Sequence, residues 1–176
     1  KVIIPAIYSF LQQDYPRELY DIIVISDQMQ ESTNEALRQL PVRLLIADYT
    51  DSSKAKAMSL AMNATADIPY DAVVIMDADN TAGTSFLSEL NPVFQSGARA
   101  VQAHRTAKNT NTDIAVLDAA SEEINNSIFR SGHIALGLSS ALIGSGMALE
   151  ACWFRQHIHL LETAGEDKEM EALLLK

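Results

Sequence analysis

The stretch that decides the fold is Val73-Val74-Ile75-Met76-Asp77-Ala78-Asp79-Asn80. Its first half is a short, continuously apolar run, which is typical of a strand covered on both faces in an α/β protein. Two carboxylates, Asp77 and Asp79, follow where that strand ends. Because side chains alternate along a strand, both can point toward one ligand, and ligands bind at this edge of open α/β sheets. The stretch therefore predicts a buried strand that ends in a binding site.

Two neighbouring carboxylates repel each other unless a cation or a proton separates them. A divalent cation is the natural partner for such a pair, since hard cations prefer oxygen ligands. The alternative interpretation is an ordinary Asx turn, in which Asp79 or Asn80 caps the next helix. Two carboxylates behind one buried strand favour the binding site over the turn.

Short apolar runs alternate with helical patterns before this stretch. The sequence Ser32-Thr-Asn-Glu35 matches a capping box and predicts a helix toward Leu40. A second helix is predicted over residues 53–65. The alternation indicates β-α-β units, and we expect an α/β fold with a Rossmann-like, mostly parallel central sheet flanked by helices. The predicted strands are residues 2–6, 21–26, 42–47 and 72–76.

The pattern becomes less regular after Asp79. We predict helices at about residues 85–95 and 115–130, a strand at 100–103, and a last helix from Glu166. Residues 131–149 are rich in Gly, Ser and small apolar side chains, and we expect a pliable wall beside the site there. Because no repeat or linker interrupts the chain, we predict one domain over residues 1–176. Its nucleotide-binding half spans about 1–80, and the second half about 81–176.

Composition and charge exclude several classes of protein. The 176 residues include 13 basic and 23 acidic side chains, which give a formal net charge of -10. With no cluster of Lys and Arg, this charge argues against nucleic acid and against an anionic membrane surface as partners. The 48% apolar content is that of a globular protein. The single cysteine, Cys152, cannot form an internal disulfide, so a reducing compartment is expected.

Four further segments carry side chains that suit a ligand site. Asp27 ends another predicted strand, and Lys54 and Lys56 begin a predicted helix, where cations oppose the helix dipole unless an anion lies nearby. Gly144-Ser145-Gly146 allows a ligand to approach the backbone. Glu166-Asp167 opens the last helix. Each segment taken alone also fits a turn, a cap or simple dipole complementation.

Together and in this order, the segments resemble the inverting family 2 glycosyltransferases of GT-A fold, over nearly the whole chain. Gln102, Arg105 and Gly144–Gly146 also fit the family pattern. One departure is the first strand, because Pro5-Ala6 runs straight into Ile7 where the family has a polar loop containing Asn-Glu. The resemblance is carried by Val-Ile-Ile-Pro at 2–5, Gln-Gln-Asp-Tyr-Pro at 12–16, Val-Ile-Ser-Asp at 24–27, Lys54, Asp77-Ala-Asp79 and Gly-Glu-Asp at 165–167.

The resemblance implies an enzyme that uses a nucleotide-diphosphate sugar, with uridine diphosphate (UDP) as the expected nucleotide. The activity would be hexosyl or N-acetylhexosaminyl transfer, with inversion, to a hydroxyl of a saccharide or lipid-linked acceptor. Such enzymes build cell-surface polysaccharides or glycolipids. The expected location is cytoplasmic, at the cytoplasmic face of a membrane, with any membrane segments in parts of the parent protein outside this chain.

The resemblance also implies roles for individual residues. Asp79 would hold Mg²⁺ or Mn²⁺, Asp77 would contact the ribose or the metal shell, and Asp27 and Lys54 would bind the donor nucleotide. Asp167 would be the general base, and we expect its neighbour Glu166 to raise its pKa. The remaining expected contacts to donor or acceptor are Gln102, Arg105, Gly144, Ser145, Gly146 and Glu166.

Two other functions fit parts of the sequence. Asp77-Ala-Asp79-Asn80-Thr81 also matches the Asp-x-Asp-x-Thr motif of haloacid-dehalogenase-type phosphatases, in which Asp77 would be a nucleophile. Three predicted strands precede the motif here, whereas that superfamily places it on the first strand. The other alternative is a non-catalytic GT-A-like domain that binds a nucleotide sugar without turnover. The presence of Asp77, Asp79 and Asp167 argues against it.

Overall fold

The computed structural model describes residues 2–175, so Lys1 and Lys176, which the predicted domain includes, lie outside the described residues. It has a mixed α/β fold, as predicted. The strands are β1 (Ile23–Asp27), β2 (Arg43–Ala47), β3 (Ala72–Ile75), β4 (Ala100–Gln102) and β5 (Met147–Glu150). The helices are α1 (Ile3–Leu11), α2 (Glu31–Arg38), α3 (Lys54–Ala64), α4 (Phe86–Gln95), α5 (Asp113–Ile124), α6 (Gly132–Ala135), α7 (Ala151–His157) and α8 (Glu166–Leu174), with a π-helix at Asn125–Ser131 between α5 and α6.

The five strands form two sheets. β1 and β2 are parallel, with Ile23 opposite Arg43 and Asp27 opposite Ala47. In the second sheet β5 lies between β3 and β4 and runs antiparallel to both. The β1–β2 pair agrees with the predicted parallel sheet, but the pairing of β3 and β4 does not. The sequence analysis did not predict β5, the strand that makes the second sheet antiparallel.

The predicted strand at residues 2–6 is wrong, because Ile3–Leu11 forms the helix α1. The apolar residues recur with helical spacing: Ile3, Ala6 and Ile7 are buried and Phe10 packs beside them. Pro5 is tolerated because it lies in the first helical turn, where its missing N–H has no intrahelical acceptor. A short apolar run fits either element by composition, and packing against Val24 and Leu37 decides for the helix.

A cavity of about 790 Å³ is lined by both β1 and β3. Among residues 2–175, β1 pairs with β2 alone and β3 with β5 alone, so each has one edge without a strand partner. Near the amino ends of these strands, the Tyr70 hydroxyl donates a hydrogen bond to Asp21 at 2.5 Å. Burial and this carboxylate raise the pKa of Tyr70 to about 12. Side chains rather than a ladder therefore join the two sheets here.

Helices α2 and α3 differ in how they begin. α2 begins at Glu31, one residue before Ser32, and no side chain caps it, so the predicted capping box is wrong. α3 begins where predicted, because the Ser53 side chain accepts the backbone N–H of Lys56. This cap fixes the position of Lys54 at the start of α3.

The larger hydrophobic core joins α3, β3, β5, α7 and α8. Met170 of α8 is 1% exposed and packs in this core, which fixes the helix whose first residues are Glu166 and Asp167. Within residues 2–175, no helix combines the length and the apolar character that crossing a bilayer requires. The fold thus places the ends of β1, β3, α3 and α8 near one another.

Candidate active site

The turn after β3 is held by a serine from the other half of the chain. Asp77 follows β3 by two residues and is half-buried, whereas Asp79 is exposed. Ser145, which is 0% exposed, accepts the Asp77 backbone N–H at 3.0 Å and the Asn80 side-chain amide at 2.5 Å. The turn is closed by the Asn80 N–H, which donates to the Asp77 carbonyl at 3.1 Å. Ser145 is thus a buried support for this turn.

Lys54 lies at the centre of the site. Its Nζ donates to Asp77 Oδ1 at 2.7 Å and to the Gly144 carbonyl at 2.5 Å, and it is 3.5 Å from Glu166 Oε1. Lys56, the second lysine at the start of α3, pairs with Asp51 at 3.1 Å. The anions that these lysines require at a helix N-terminus are therefore carboxylates of the protein itself.

Gly144 marks the point at which the two halves of the chain meet. Its φ is +77°, a conformation that suits glycine. A Cβ at this position would lie 3.6 Å from Lys54 Nζ, 3.8 Å from Asp167 Oδ2 and 4.0 Å from Glu166 Oε1. The structure therefore brings Lys54, Asp77, Gly144, Glu166 and Asp167 together in one cluster, hereafter the Gly144 cluster.

Asp167 projects from the first turn of α8. Its Oδ1 accepts the backbone N–H of Lys168 at 2.9 Å, which leaves Oδ2 as the oxygen nearest Gly144. The Lys168 side chain turns away, toward the Leu142 carbonyl and Glu171, both at 2.9 Å. Glu166 is directed to Lys54 rather than to its neighbour Asp167. The Glu166 carboxylate is thus paired with Lys54, and the Asp167 carboxylate faces the site.

The Gln102 side chain holds the loop Gly144–Gly146, hereafter the glycine loop, through hydrogen bonds to the backbone. Its amide nitrogen donates to the Ser145 carbonyl at 2.9 Å and its amide oxygen accepts the Ile143 N–H at 3.0 Å. A Cβ on Gly146, whose φ is +68°, would lie 3.5 Å from the Gln102 amide and 3.9 Å from Arg105. Arg105 is half-buried beside this loop, and its guanidinium pairs with no carboxylate among residues 2–175.

Asp27 lies at the same edge, at the end of β1. Its Oδ1 accepts the hydroxyl of Ser52 at 2.9 Å, two residues before Lys54. Ser52 and the first residue of α3, Lys54, therefore contact the ends of β1 and β3 respectively. Gln28, directly after Asp27, has a φ of +54°, a left-handed conformation unusual for a residue other than glycine. This turn directs the chain from β1 into α2.

Three residues of the site were missed by the sequence analysis. Asn80 had been considered only as a helix cap, and Ser52 lies just outside the predicted helix 53–65. Lys108 donates to the Asp79 carbonyl at 3.2 Å from a long loop. The sequence signal for Asn80 was its place directly after the two aspartates. Lys108 carried no signal, because only the fold brings its loop to the turn after β3.

The donor set suits a divalent cation that is bound together with a substrate. Among the described residues, no three His, Cys, Asp or Glu side chains converge to form a complete protein cage. Mg²⁺ is usually held by one or two carboxylates together with substrate phosphates and water. Asp79, which is exposed, and Asp77, which is half-buried, match that requirement.

Comparisons with known proteins identify the family. The model of the family described as "Glycosyltransferase like family 2" matches residues 1–174. The chain belongs to glycosyltransferase family 2. This membership leaves the phosphatase alternative without support. No curated protein is similar enough in sequence to match the chain.

This family 2 glycosyltransferase is similar in fold to S. aureus TarS. A crystal structure of TarS residues 1–349 matches with a TM-score of 0.60 and 12% sequence identity, over 95% of this chain and 49% of that one. The same protein in complex with UDP matches with a TM-score of 0.62 and 12% identity, over 94% of this chain and 48% of that one. The chain thus spans about half the length of these structures, and the likeness concerns the fold.

Proposed function

We propose that the chain is the catalytic domain of an inverting glycosyltransferase that transfers the sugar of a UDP-sugar to an acceptor hydroxyl and releases UDP. The observation that carries this proposal is the Gly144 cluster, in which Lys54 binds Asp77 from the donor side at 2.7 Å and the Asp167 carboxylate of α8 lies beside the same glycine as Lys54. Inverting transfer needs both a site for the departing diphosphate and a base on the opposite side of the sugar. In this proposal residues 1–80 bind the nucleotide, and residues 81–176 form the acceptor side.

Asp27 and Asp77 hold the nucleoside, and Asp79 with Asp77 holds Mg²⁺ or Mn²⁺. These carboxylates would hold the ion where it would supply Lewis-acid stabilisation of the negative charge on the departing diphosphate. Lys54 adds a positive charge at the same edge, which matters in a chain of net charge -10. Arg105, which has no carboxylate partner among residues 2–175, supplies a further cation beside the glycine loop.

Asp167 is the proposed general base. Its Oδ1 is held by the Lys168 N–H, so Oδ2 is the oxygen that accepts the proton of the acceptor hydroxyl. The hydroxyl oxygen then bonds to the anomeric carbon as the bond from that carbon to the diphosphate oxygen breaks. A single displacement of this kind inverts the anomeric configuration.

The acceptor class in this proposal is a saccharide or a lipid-linked saccharide. Ile134, Leu136 and Leu138 are exposed in the segment that leads to the glycine loop, and they offer an apolar surface to such an acceptor. A hexosyl or N-acetylhexosaminyl donor and a place at the cytoplasmic face of a membrane belong to the same proposal, and the family resemblance alone supports them.

A thermal-shift panel of nucleoside diphosphates and their sugars, with and without Mn²⁺, tests the function. A specific ligand at about 100 times its dissociation constant adds about 2.7 kcal/mol of stability. We expect UDP and a UDP-sugar with Mn²⁺ to raise the melting temperature most, and donor hydrolysis or transfer to follow in the complete parent protein. No shift with any nucleotide would contradict the proposal. A shift without turnover would favour the non-catalytic binding domain.

A further inference from the structure

We infer that Glu166 is a positioning residue, which fixes the proposed base Asp167 relative to the donor site through Lys54. The inference rests on the proposed function, because it assigns Asp167 as the base. It differs from the expectation that Glu166 contacts a substrate or acts on its neighbour's protonation. In the structure, the Glu166 carboxylate faces the lysine that binds Asp77.

Glu166 is the most buried ion-paired carboxylate among residues 2–175. The residue is 6% exposed and its side chain 8% exposed, whereas the side chains of the other ion-paired carboxylates there are at least 27% exposed. A charged carboxylate is retained in such a place only if a cation compensates it. Among residues 2–175, Lys54 is the cation within 4 Å, at 3.5 Å.

Lys54 contacts three oxygen atoms from three segments. Its Nζ donates hydrogen bonds to Asp77 Oδ1 and to the Gly144 carbonyl, and it forms an ion pair with Glu166 Oε1 at 3.5 Å. These oxygen atoms come from the turn after β3, from the glycine loop and from α8. Lys54 therefore ties together three segments that are distant in sequence, and Glu166 is the tie to α8.

The start of α8 has no side-chain cap, because its N-cap residue is Gly165. The Lys168 and Glu169 N–H groups bond to the Gly165 carbonyl within the first turn. Glu166 adds the contact that ties this turn to Lys54. Asp167 is the next residue in the same turn, so a shift of Glu166 moves the base away from Gly144.

The test uses the complete parent protein, with variants Glu166→Gln, Lys54→Met and the double variant. Glu162→Gln is the matched control, because Glu162 is exposed and lies shortly before the same helix. We expect Glu166→Gln to lower kcat about 10–100-fold, the scale of a misplaced catalytic group, with the KM for the UDP-sugar nearly unchanged. Lys54→Met should lower kcat and also raise the KM for the UDP-sugar, because Lys54 also contacts Asp77.

The double variant separates positioning from an independent role. If Glu166 acts through Lys54, its removal adds little once Lys54 is gone, so the kcat of the double variant should equal that of Lys54→Met. Glu166→Asp should recover part of the lost kcat. Normal kcat in Glu166→Gln, or fully multiplicative effects in the double variant, would overturn the inference.

Hydrogen exchange gives a readout that does not need turnover. In Glu166→Gln the amides of Lys168 and Glu169 should exchange faster, while those of β5 stay slow. Unchanged exchange at both amides would overturn the inference even in a protein without activity. Failure of the proposed function is a different result, namely a wild-type protein that neither binds UDP nor turns over a UDP-sugar.

Discussion

Ser145 accepts the backbone N–H of Asp77 at 3.0 Å, although the two residues are 68 positions apart. The same hydroxyl oxygen accepts the side-chain amide of Asn80. The turn after β3, which presents Asp77 and Asp79, is therefore supported by the glycine loop that precedes β5. The donor-side carboxylates depend on a residue from the second half of the chain.

Ser145→Ala should destabilise the protein and weaken UDP binding. The change leaves the Asp77 N–H and the Asn80 amide without their buried acceptor, which costs about 1–3 kcal/mol. Urea unfolding measures the loss, and calorimetry measures UDP affinity. Ser139→Ala is the control, since Ser139 is exposed, and it should change stability by less than about 0.5 kcal/mol. Equal stability of Ser145→Ala and the wild-type protein would show that the hydroxyl does not support the turn.

The dependence of UDP affinity on a divalent cation should be lost in Asp79→Asn. We expect wild-type protein to bind UDP more tightly with Mn²⁺ than in EDTA, because the acidic chain offers few cations to the diphosphate. The variant should bind UDP with similar affinity in Mn²⁺ and in EDTA. It should keep its fold, since Asp79 is exposed. Asp118→Asn, an exposed change on α5, should retain the metal dependence. Equally tight binding by the wild-type protein in EDTA would refute the metal assignment.

Asp167→Asn should lower transfer by about 10²–10⁴-fold, because it keeps the shape of the side chain and removes the proton acceptor. UDP affinity should be unchanged. Stability should fall by at most about 1 kcal/mol, since the variant loses one favourable charge at a helix N-terminus. Steady-state kinetics of the parent protein measures the effect, with Glu162→Gln as the control. Near-normal turnover would remove Asp167 from the mechanism.

Hydrogen exchange should divide residues 131–149 into two parts. The sequence analysis expects a pliable wall throughout, but Met147, Ala148 and Leu149 are buried and paired on both sides in β5. Their amides should exchange slowly. Residues 136–141 precede the strand and are largely exposed, so they should exchange fast without ligand and more slowly when donor and acceptor are bound. Uniform protection of the free protein over 131–149 would contradict this division.

Gln28→Gly should leave stability unchanged or raise it by up to about 1 kcal/mol. The φ of +54° costs about 1–2 kcal/mol for a residue with a Cβ, and glycine offsets part of that gain through its greater freedom in the unfolded chain. Gln39→Gly is the matched control, because Gln39 is exposed and has a φ of -83°, so it should lose about 0.5–1 kcal/mol. Thermal unfolding of the two variants and the wild-type protein measures these changes in stability. A larger loss in Gln28→Gly than in the control would show that no strain is relieved.

The sequence by itself determined the elements whose patterns are local. The apolar run before Asp77 and the alternation of strands and helices identified β1, β2, β3 and α3, and the family resemblance assigned roles to Asp27, Lys54, Asp77 and Asp167. Each of these signals is contained in a few consecutive residues, so it can be recognised without knowledge of tertiary contacts. The Gly144-Ser145-Gly146 segment was recognised as part of the site on the same basis.

Only the tertiary structure decided the features that depend on distant contacts. The run at residues 2–6 suits a strand or a helix, and its packing against Val24 and Leu37 selects the helix. β5 gains its antiparallel partners from β3 and β4, which its own residues do not encode. Glu166 looks like an ordinary first-turn acid until the fold buries it beside Lys54. The physical reason is the same in each case: burial and pairing depend on segments far apart in the chain.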